Sequence, residues 1–248
     1  MIKLTEYIDS EICKANSLYN PLSEKIVSLY NLRDKPNSVL VYSQIDDDGN
    51  ITGIILNASS EVTVSINEKS DINELKDFLN CIGYNSVILN REIYLNCKRR
   101  HGFILKHSGD DIHQNNLAQM ISSEDIKNVY PLIKQNFEIC PDFPEWYCDF
   151  SHKIRHGNAE MTAVKIDDAY ASCAAYMYKT NYSATIMSVC TDECFRNKGY
   201  ARDCVSKLVY ELKEKNVEDI FLLCKEKVID FYKKLKFEII GRWYEYVQ

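Results

Sequence analysis

The strongest constraint on the fold is an order of elements that the chain passes through twice. In the first pass SVLVYSQI, NITGIILN and EVTVSI read as an antiparallel meander from Ser38 onward, with Asp48-Gly49 as a hairpin turn. Asp71 then caps a helix with apolar positions Ile72, Leu75, Phe78 and Leu79, and SVILN follows as a strand at 86–90. Residues 92–101 suit a second helix, before Gly102 and the apolar FIL at 103–105. In the second pass MTAVKI and AYASCAAYMY are joined by Asp167-Asp168, and SATIMSVC enters the loop TDECFRNKG. A helix from Tyr200 to Lys215 places Ala201, Val205, Leu208 and Leu212 on one face, and DIFLLC is a short apolar strand. Val228, Phe231, Tyr232 and Leu235 mark the last helix, and FEIIGRWYEYV closes the chain as a strand. Both passes therefore run meander, helix, strand, helix, strand, the mark of a duplicated domain.

Short helices stand ahead of each pass: two between Ile12 and Asn31, divided by Pro21, then one after Ser123 and one across Glu145 to His156. The polar stretch HSGDDIHQNN at 107–116 reads as a linker, which divides the chain into domains 1–110 and 111–248. The expected class is α/β with an α+β mixed sheet: two domains, each a mostly antiparallel mixed sheet flanked by helices.

An apolar fraction of 46% over 248 residues supplies a real core. Residues 1–110 hold 12 Lys and Arg against 15 Asp and Glu, and the remainder 18 against 21, so each part carries −3 and neither is a basic partner for nucleic acid. The 10 cysteines are scattered without framework spacing and no apolar signal segment opens the sequence, which points to reduced thiols in the cytoplasm. No stretch approaches the roughly 18 apolar residues that span a bilayer, so a soluble protein without a membrane partner is expected. His152 and His156 are i, i+4, but Lys153 stands where a metalloprotease motif has Glu; Cys190 and Cys194 are too widely spaced for the usual pair. No metal site is expected.

The segment SVCTDECFRNKGYA carries the chemistry. A strand runs into a polar loop with Arg196, Lys198 and Gly199, and a helix starts at once. First-turn N–H groups lack internal partners and the helix dipole favours anions, so this is an anion site. Gly199 permits close approach, Ala201 is small, and Arg196 and Lys198 add charge for a phosphate-rich ligand. The run Arg196-Asn197-Lys198-Gly199-Tyr200-Ala201 resembles the Gln/Arg-x-x-Gly-x-Gly/Ala motif of the GNAT superfamily of N-acetyltransferases, and VIDFYKKLKF after DIFLLC resembles that family's Ala-x-x-Phe-Tyr-x-Lys-Leu-Gly-Phe. The resemblance covers about residues 112–248, and the repeated order makes the architecture a tandem one with a degenerate N-terminal copy. Lys225 departs from a frequent Asn and Lys236 from the usual Gly.

The resemblance implies an acyl-CoA-dependent N-acyltransferase that moves acetyl from acetyl-CoA, its cosubstrate, to a primary amine in a ternary complex. It implies that the two central strands splay, so that the pantetheine arm hydrogen-bonds to the backbone of Val189, Cys190 and Thr191 as an added strand. The phosphates then meet Arg196 and the amides of Asn197, Lys198, Gly199, Tyr200, Ala201 and Arg202. Tyr232 corresponds to the general acid, although it also belongs to the apolar stripe of its helix. Asp192, Glu193, Glu160 and a chain of waters remain open as the base. Phe143, Trp146 and Tyr147 either line the acceptor pocket or pack as core. A small-molecule or peptide amine is the expected acceptor, and oligomeric state is not legible. The alternative is a non-catalytic acyl-CoA-binding sensor or interaction module. In the N-terminal copy NEKSD stands where FRNKG does, without glycine and with Glu68 and Asp71, so no CoA is expected there.

Overall fold

The computed structural model describes residues 1–32, 39–109, 117–138 and 140–248. The expected boundary between 110 and 111 lies outside the described residues, as does Ser38 at the start of the first expected strand. In chain order the elements are β1 (Ile2–Leu4), α1 (Ser10–Ala15), α2 (Pro21–Tyr30), β2 (Val39–Ile45), β3 (Ile51–Ala58), β4 (Glu61–Ile66), α3 (Ile72–Ile82), β5 (Ser86–Leu89) and β6 (Lys98–His107). There follow β7 (Gln119–Met120), α4 (Ile126–Asn136), α5 (Phe143–Arg155), β8 (Glu160–Ile166), β9 (Ala169–Met177), β10 (Ser183–Thr191), α6 (Tyr200–Glu214), β11 (Asp219–Cys224), α7 (Ile229–Lys234) and β12 (Phe237–Val247). The architecture is mixed α/β, with mostly antiparallel strands flanked by helices. Two compact units result: unit 1 is Met1–Leu105, Leu223–Ile229 and Ile239–Gln248, and unit 2 is Lys106–Leu222 and Asp230–Glu238.

In unit 1 the strand order is β1-β2-β3-β4-β5-β12, parallel at β4–β5 and antiparallel at the other pairs. Local chemistry sets the element ends. Asp9, Asn20 and Asp71 accept first-turn N–H groups of α1, α2 and α3, and Asn20 with Ser23 forms a capping box. Gly49 turns the β2–β3 hairpin at φ +86°. Alternation then divides β3: Ile54 and Leu56 join Ile8, Leu18 and Ile26, while Ile55 joins Val64, Leu75, Leu79, Val87 and Tyr246.

Two expectations fail in this unit. Residues 92–97 are irregular and β6 begins at Lys98, so no helix covers 92–101 and the first pass lacks its second helix. Gly102 shows why strand wins: a Cβ there would stand 2.2 Å from the Cys224 carbonyl oxygen and 2.7 Å from the Trp243 ring, an approach only an extended glycine makes. The closing strand also changes place. From Ile239 onward β12 belongs to unit 1, where Tyr246 pairs with Val87 and is 2% exposed.

Unit 2 has the order β11-β10-β9-β8-β7, parallel only at β10–β11. One face of β8 and β9 presents Met161, Ala163, Cys173 and Ala175 to Ile126, Val129 and Leu132 of α4 and to Trp146 and Phe150 of α5. The other receives α6, which buries Cys204, Val205, Leu208, Val209 and Leu212. Thr162 Oγ1 on that face donates to the Cys204 carbonyl at 3.0 Å. After α7 the chain turns at Lys236 with φ +62°, the left-handed conformation that glycine adopts without strain. Among the described residues no helix is long and apolar enough to cross a membrane.

Candidate functional site

The site grows from the way β10 leaves its neighbours. Its parallel register with β11 runs over four pairs, from Ser183↔Asp219 to Ile186↔Leu222, while β10 itself continues to Thr191. On the β9 side the register breaks between Met187↔Ala175 and Cys190↔Cys173, so Ser188 and Val189 oppose Ala174 alone. This is a β-bulge, and Ser188 occupies the left-handed region at φ +52°. A strained non-glycine residue in a bulged strand is the kind of local cost that folds keep at working sites. Met187 is exposed, Val189 and Thr191 are half-buried, and Cys190 faces the core. The bulge had no signature in the sequence, because neither Gly nor Pro stands at 187–190.

Beyond Thr191 the loop is held from inside. Asp192 accepts from the Cys194 N–H at 2.9 Å and so caps a 3-10 turn over Glu193–Phe195. The Arg196 guanidinium donates to the Thr191 carbonyl at 3.3 Å and to Asn136 Oδ1 at 3.2 Å, and pairs with Glu193 at 3.4 Å. It braces the loop against α4 rather than standing clear as a free positive charge. Lys198 Nζ lies 5.0 Å above the Phe195 ring. Asn197 and Gly199 both have positive φ, +63° and +88°, on either side of Lys198. Alternating handedness of this kind turns successive N–H groups toward one side. Gly199 is the N-cap of α6 and supplies no side-chain acceptor, so its first-turn amides keep their donors. The Arg202 guanidinium lies beside Gly199, 3.2 Å from where a Cβ would be, and pairs with the buried Asp203 at 3.4 Å.

Tyr232 comes from a separate element, α7, where its ring meets Phe231 at 4.9 Å and Phe237 at 6.0 Å, both edge-on. It is 8% exposed. The carboxylates considered as bases have partners: Glu160 pairs with Lys215 at the far end of α6, Asp192 caps its turn, and Glu193 holds Arg196. Of the aromatic run, Trp146 is buried and stacks on Phe150 at 5.5 Å, which makes it core. Phe143 and Tyr147 stack at 5.5 Å in an outer tier that Tyr130 joins at 5.2 Å from Phe143. The His152 and His156 rings lie tilted at 46° with centroids 4.3 Å apart, and among the described residues no group of three or more His, Cys, Asp or Glu is placed to hold a metal.

The corresponding place in unit 1 is built differently at three points. The β3–β4 register is continuous, from Gly53↔Ile66 to Ala58↔Glu61, with no bulge. Where the parallel β4–β5 pairing ends at Leu89, the Asn90 side chain accepts from the Ile66 N–H at 2.9 Å and donates to its carbonyl at 2.8 Å, so the strand edge is already taken. The Asp71 carboxylate accepts from the N–H groups of Asn73 and Glu74 at 2.9 and 3.0 Å and fills the start of α3. Asp71 was legible in the sequence. Asn90 was not, because a strand-ending Asn carries no mark of which backbone it will reach.

Comparison with known proteins agrees with this geometry. The sequence model described as "Acetyltransferase (GNAT) family" matches residues 126–237, from α4 to the first residue of β12. A GCN5-related N-acetyltransferase from Sphaerobacter thermophilus superposes with a TM-score of 0.64 at 10% identity, covering 100% of this chain and 95% of that one. One from Kribbella flavida gives 0.62 at 11% identity over 92% and 94% of the two chains. A tandem GNAT protein from the clavulanic acid biosynthesis pathway gives 0.58 at 12% identity over 91% and 87%. At such identities the likeness is one of fold: residues 126–237 match the acetyltransferase (GNAT) family, and the chain shares the fold of tandem GNAT proteins.

Proposed function

We propose that the chain is an N-acetyltransferase that moves acetyl from acetyl-CoA to the primary amine of a small molecule or peptide in a ternary complex, with the reaction carried by the C-terminal domain, about residues 111–248. The observation that carries this reading is the departure of β10 from β11 after Ile186, followed by the bulge and an uncapped helix start. An open strand edge accepts an extended amide chain as an added strand, and Val189, Cys190 and Thr191 offer that edge to the pantetheine arm. The amides of Asn197, Lys198, Gly199, Tyr200, Ala201 and Arg202 fit the pyrophosphate, and Arg196 holds the loop that presents them through Thr191, Glu193 and Asn136. The ten cysteines are free thiols, which supports a reducing, cytoplasmic setting.

In this proposal a bulge amide, Ser188 or Val189 N–H, lies outside the β9 ladder and holds the charge that develops on the thioester oxygen. The Tyr232 hydroxyl donates a proton to the departing thiol. With Glu160, Asp192 and Glu193 engaged, the proton of the amine leaves through water. Tyr232→Phe is expected to lower kcat by roughly 10²-fold or more while leaving acetyl-CoA affinity near the wild-type value, since the ring and its packing stay. A normal rate at every pH assigns Tyr232 to the core instead.

One acetyl-CoA is expected per chain, because unit 1 lacks the bulge, the open edge and the uncapped helix start together. Calorimetric titration of the full chain checks this, and a stoichiometry of two overturns it. The engaged carboxylates also favour a second reading, a sensor that binds acyl-CoA without turnover. Thiol release from acetyl-CoA across a broad amine panel separates the two: release with any amine establishes the enzyme, and a CoA-induced melting shift without release favours the sensor.

A further inference from the structure

Two thiols face each other across β9 and β10, in the first pair after the bulge. The Sγ atoms of Cys173 and Cys190 are 3.4 Å apart, and the residues are 0% and 7% exposed. Their Cα atoms are direct partners in the antiparallel register. The Asp192 N–H donates to the Ala171 carbonyl at 3.0 Å in the pair two steps on. Hydrogen-bonded and non-hydrogen-bonded pairs alternate in such a ladder, so Cys173 and Cys190 also form a hydrogen-bonded pair, with Cα atoms about 5.5 Å apart. Disulfides span Cα separations of about 4.4–6.8 Å. The Cα separation is therefore within the disulfide range, and closure draws the sulfurs from 3.4 Å to about 2.05 Å. Acyl transfer as proposed runs along the open edge of β10 and leaves both thiols idle.

We propose that Cys173 and Cys190 are a redox pair that closes to a reversible disulfide when a hydroperoxide reaches β10. Cys190 is the more exposed residue of the two and reacts first. Its sulfur takes one peroxide oxygen to become a sulfenic acid, the O–O bond breaks, and the other oxygen leaves with the thiol proton as water or alcohol. The Cys173 sulfur then attacks the Cys190 sulfur, the S–O bond breaks, and the second water carries away the Cys173 proton. Two electrons pass from the two thiols to one peroxide. The contact with Cys190 and complete burial hold the Cys173 thiol well above the ordinary thiol range, which leaves the first step to Cys190. Closure ties the downstream arm of the bulge to β9.

The experiment needs neither CoA nor turnover, so its outcome is independent of the acetyltransferase reading. Reduced full-length protein carrying Cys194→Ser, which removes the second thiol from the tryptic peptide Thr180–Arg196, is treated with hydrogen peroxide in native buffer, alkylated and mapped by mass. The expected result is a link between that peptide and Ile166–Lys179, 2 Da below the sum of the two reduced peptides and reopened by dithiothreitol. In a Cys173→Ser variant a sulfenic-acid trap should label Cys190. Oxidation confined to Cys81 and Cys148, a link that forms only in denaturant, or a link to any other cysteine overturns the proposal.

Discussion

Gly199→Glu is expected to abolish the rise in melting temperature that the proposed acetyl-CoA site should give the wild-type chain. A ligand that binds only the folded state stabilises it by about 2.7 kcal/mol at one hundred times its Kd, so the wild-type shift is large enough to read. The substitution acts on that shift in two ways. Gly199 sits at φ +88°, where an L side chain costs about 1–2 kcal/mol, and its Cβ would stand 3.2 Å from Arg202 Nη2. The carboxylate then lies at an uncapped helix start, where it satisfies the free amides and repels a phosphate. Gly199→Ala separates the terms, since it brings the strain without the charge and should keep part of the CoA shift. Full CoA stabilisation of the Glu variant removes the proposed pyrophosphate site.

Tyr246→Ala is expected to destabilise unit 1 by roughly 3–5 kcal/mol, the range for deleting a large buried aromatic. Tyr246 is 2% exposed in the cluster around Leu79, Val87 and Leu89, and its hydroxyl donates to the Ile93 carbonyl while accepting from the Ile93 N–H at 3.2 Å. Burial raises the pKa of that hydroxyl, so it stays a neutral donor through the physiological range. Removing residues 239–248 goes further, because β5 loses the strand paired along Ser86–Leu89. A fragment of residues 1–110 lacks β12 and should not fold alone. Hydrogen exchange checks both changes: undiminished protection of the β5 amides after deletion of 239–248 would mean that β12 contributes nothing to unit 1.

The candidate site was only partly written in local sequence. The glycine and small residue at a strand-to-helix turn, the basic loop and the Tyr of the last helix can be found by spacing, because a helix start and its anion preference depend on residues within one turn. The bulge at Ser188 and the engaged state of Arg196 cannot. A bulge is a mismatch in length between two strands, and Arg196 has its partners at Thr191, Glu193 and Asn136, the last brought in from α4.

The same division runs through the fold. The β2–β3 turn at Gly49, the caps Asp9, Asn20 and Asp71, the alternating strands and the apolar stripe of α6 follow from neighbours a few residues apart, and the chain alone specifies them. The false helix at 92–101 arose where helical propensity had nothing local to oppose it, whereas Gly102 answers to Cys224 and Trp243 more than a hundred residues away. The place of β12 is of the same kind. Its alternating pattern fits a strand in either half of the chain, and the choice falls to the contact between Tyr246 and Ile93, 153 residues apart, since pairing partner and register are set by which buried face the side chains complete.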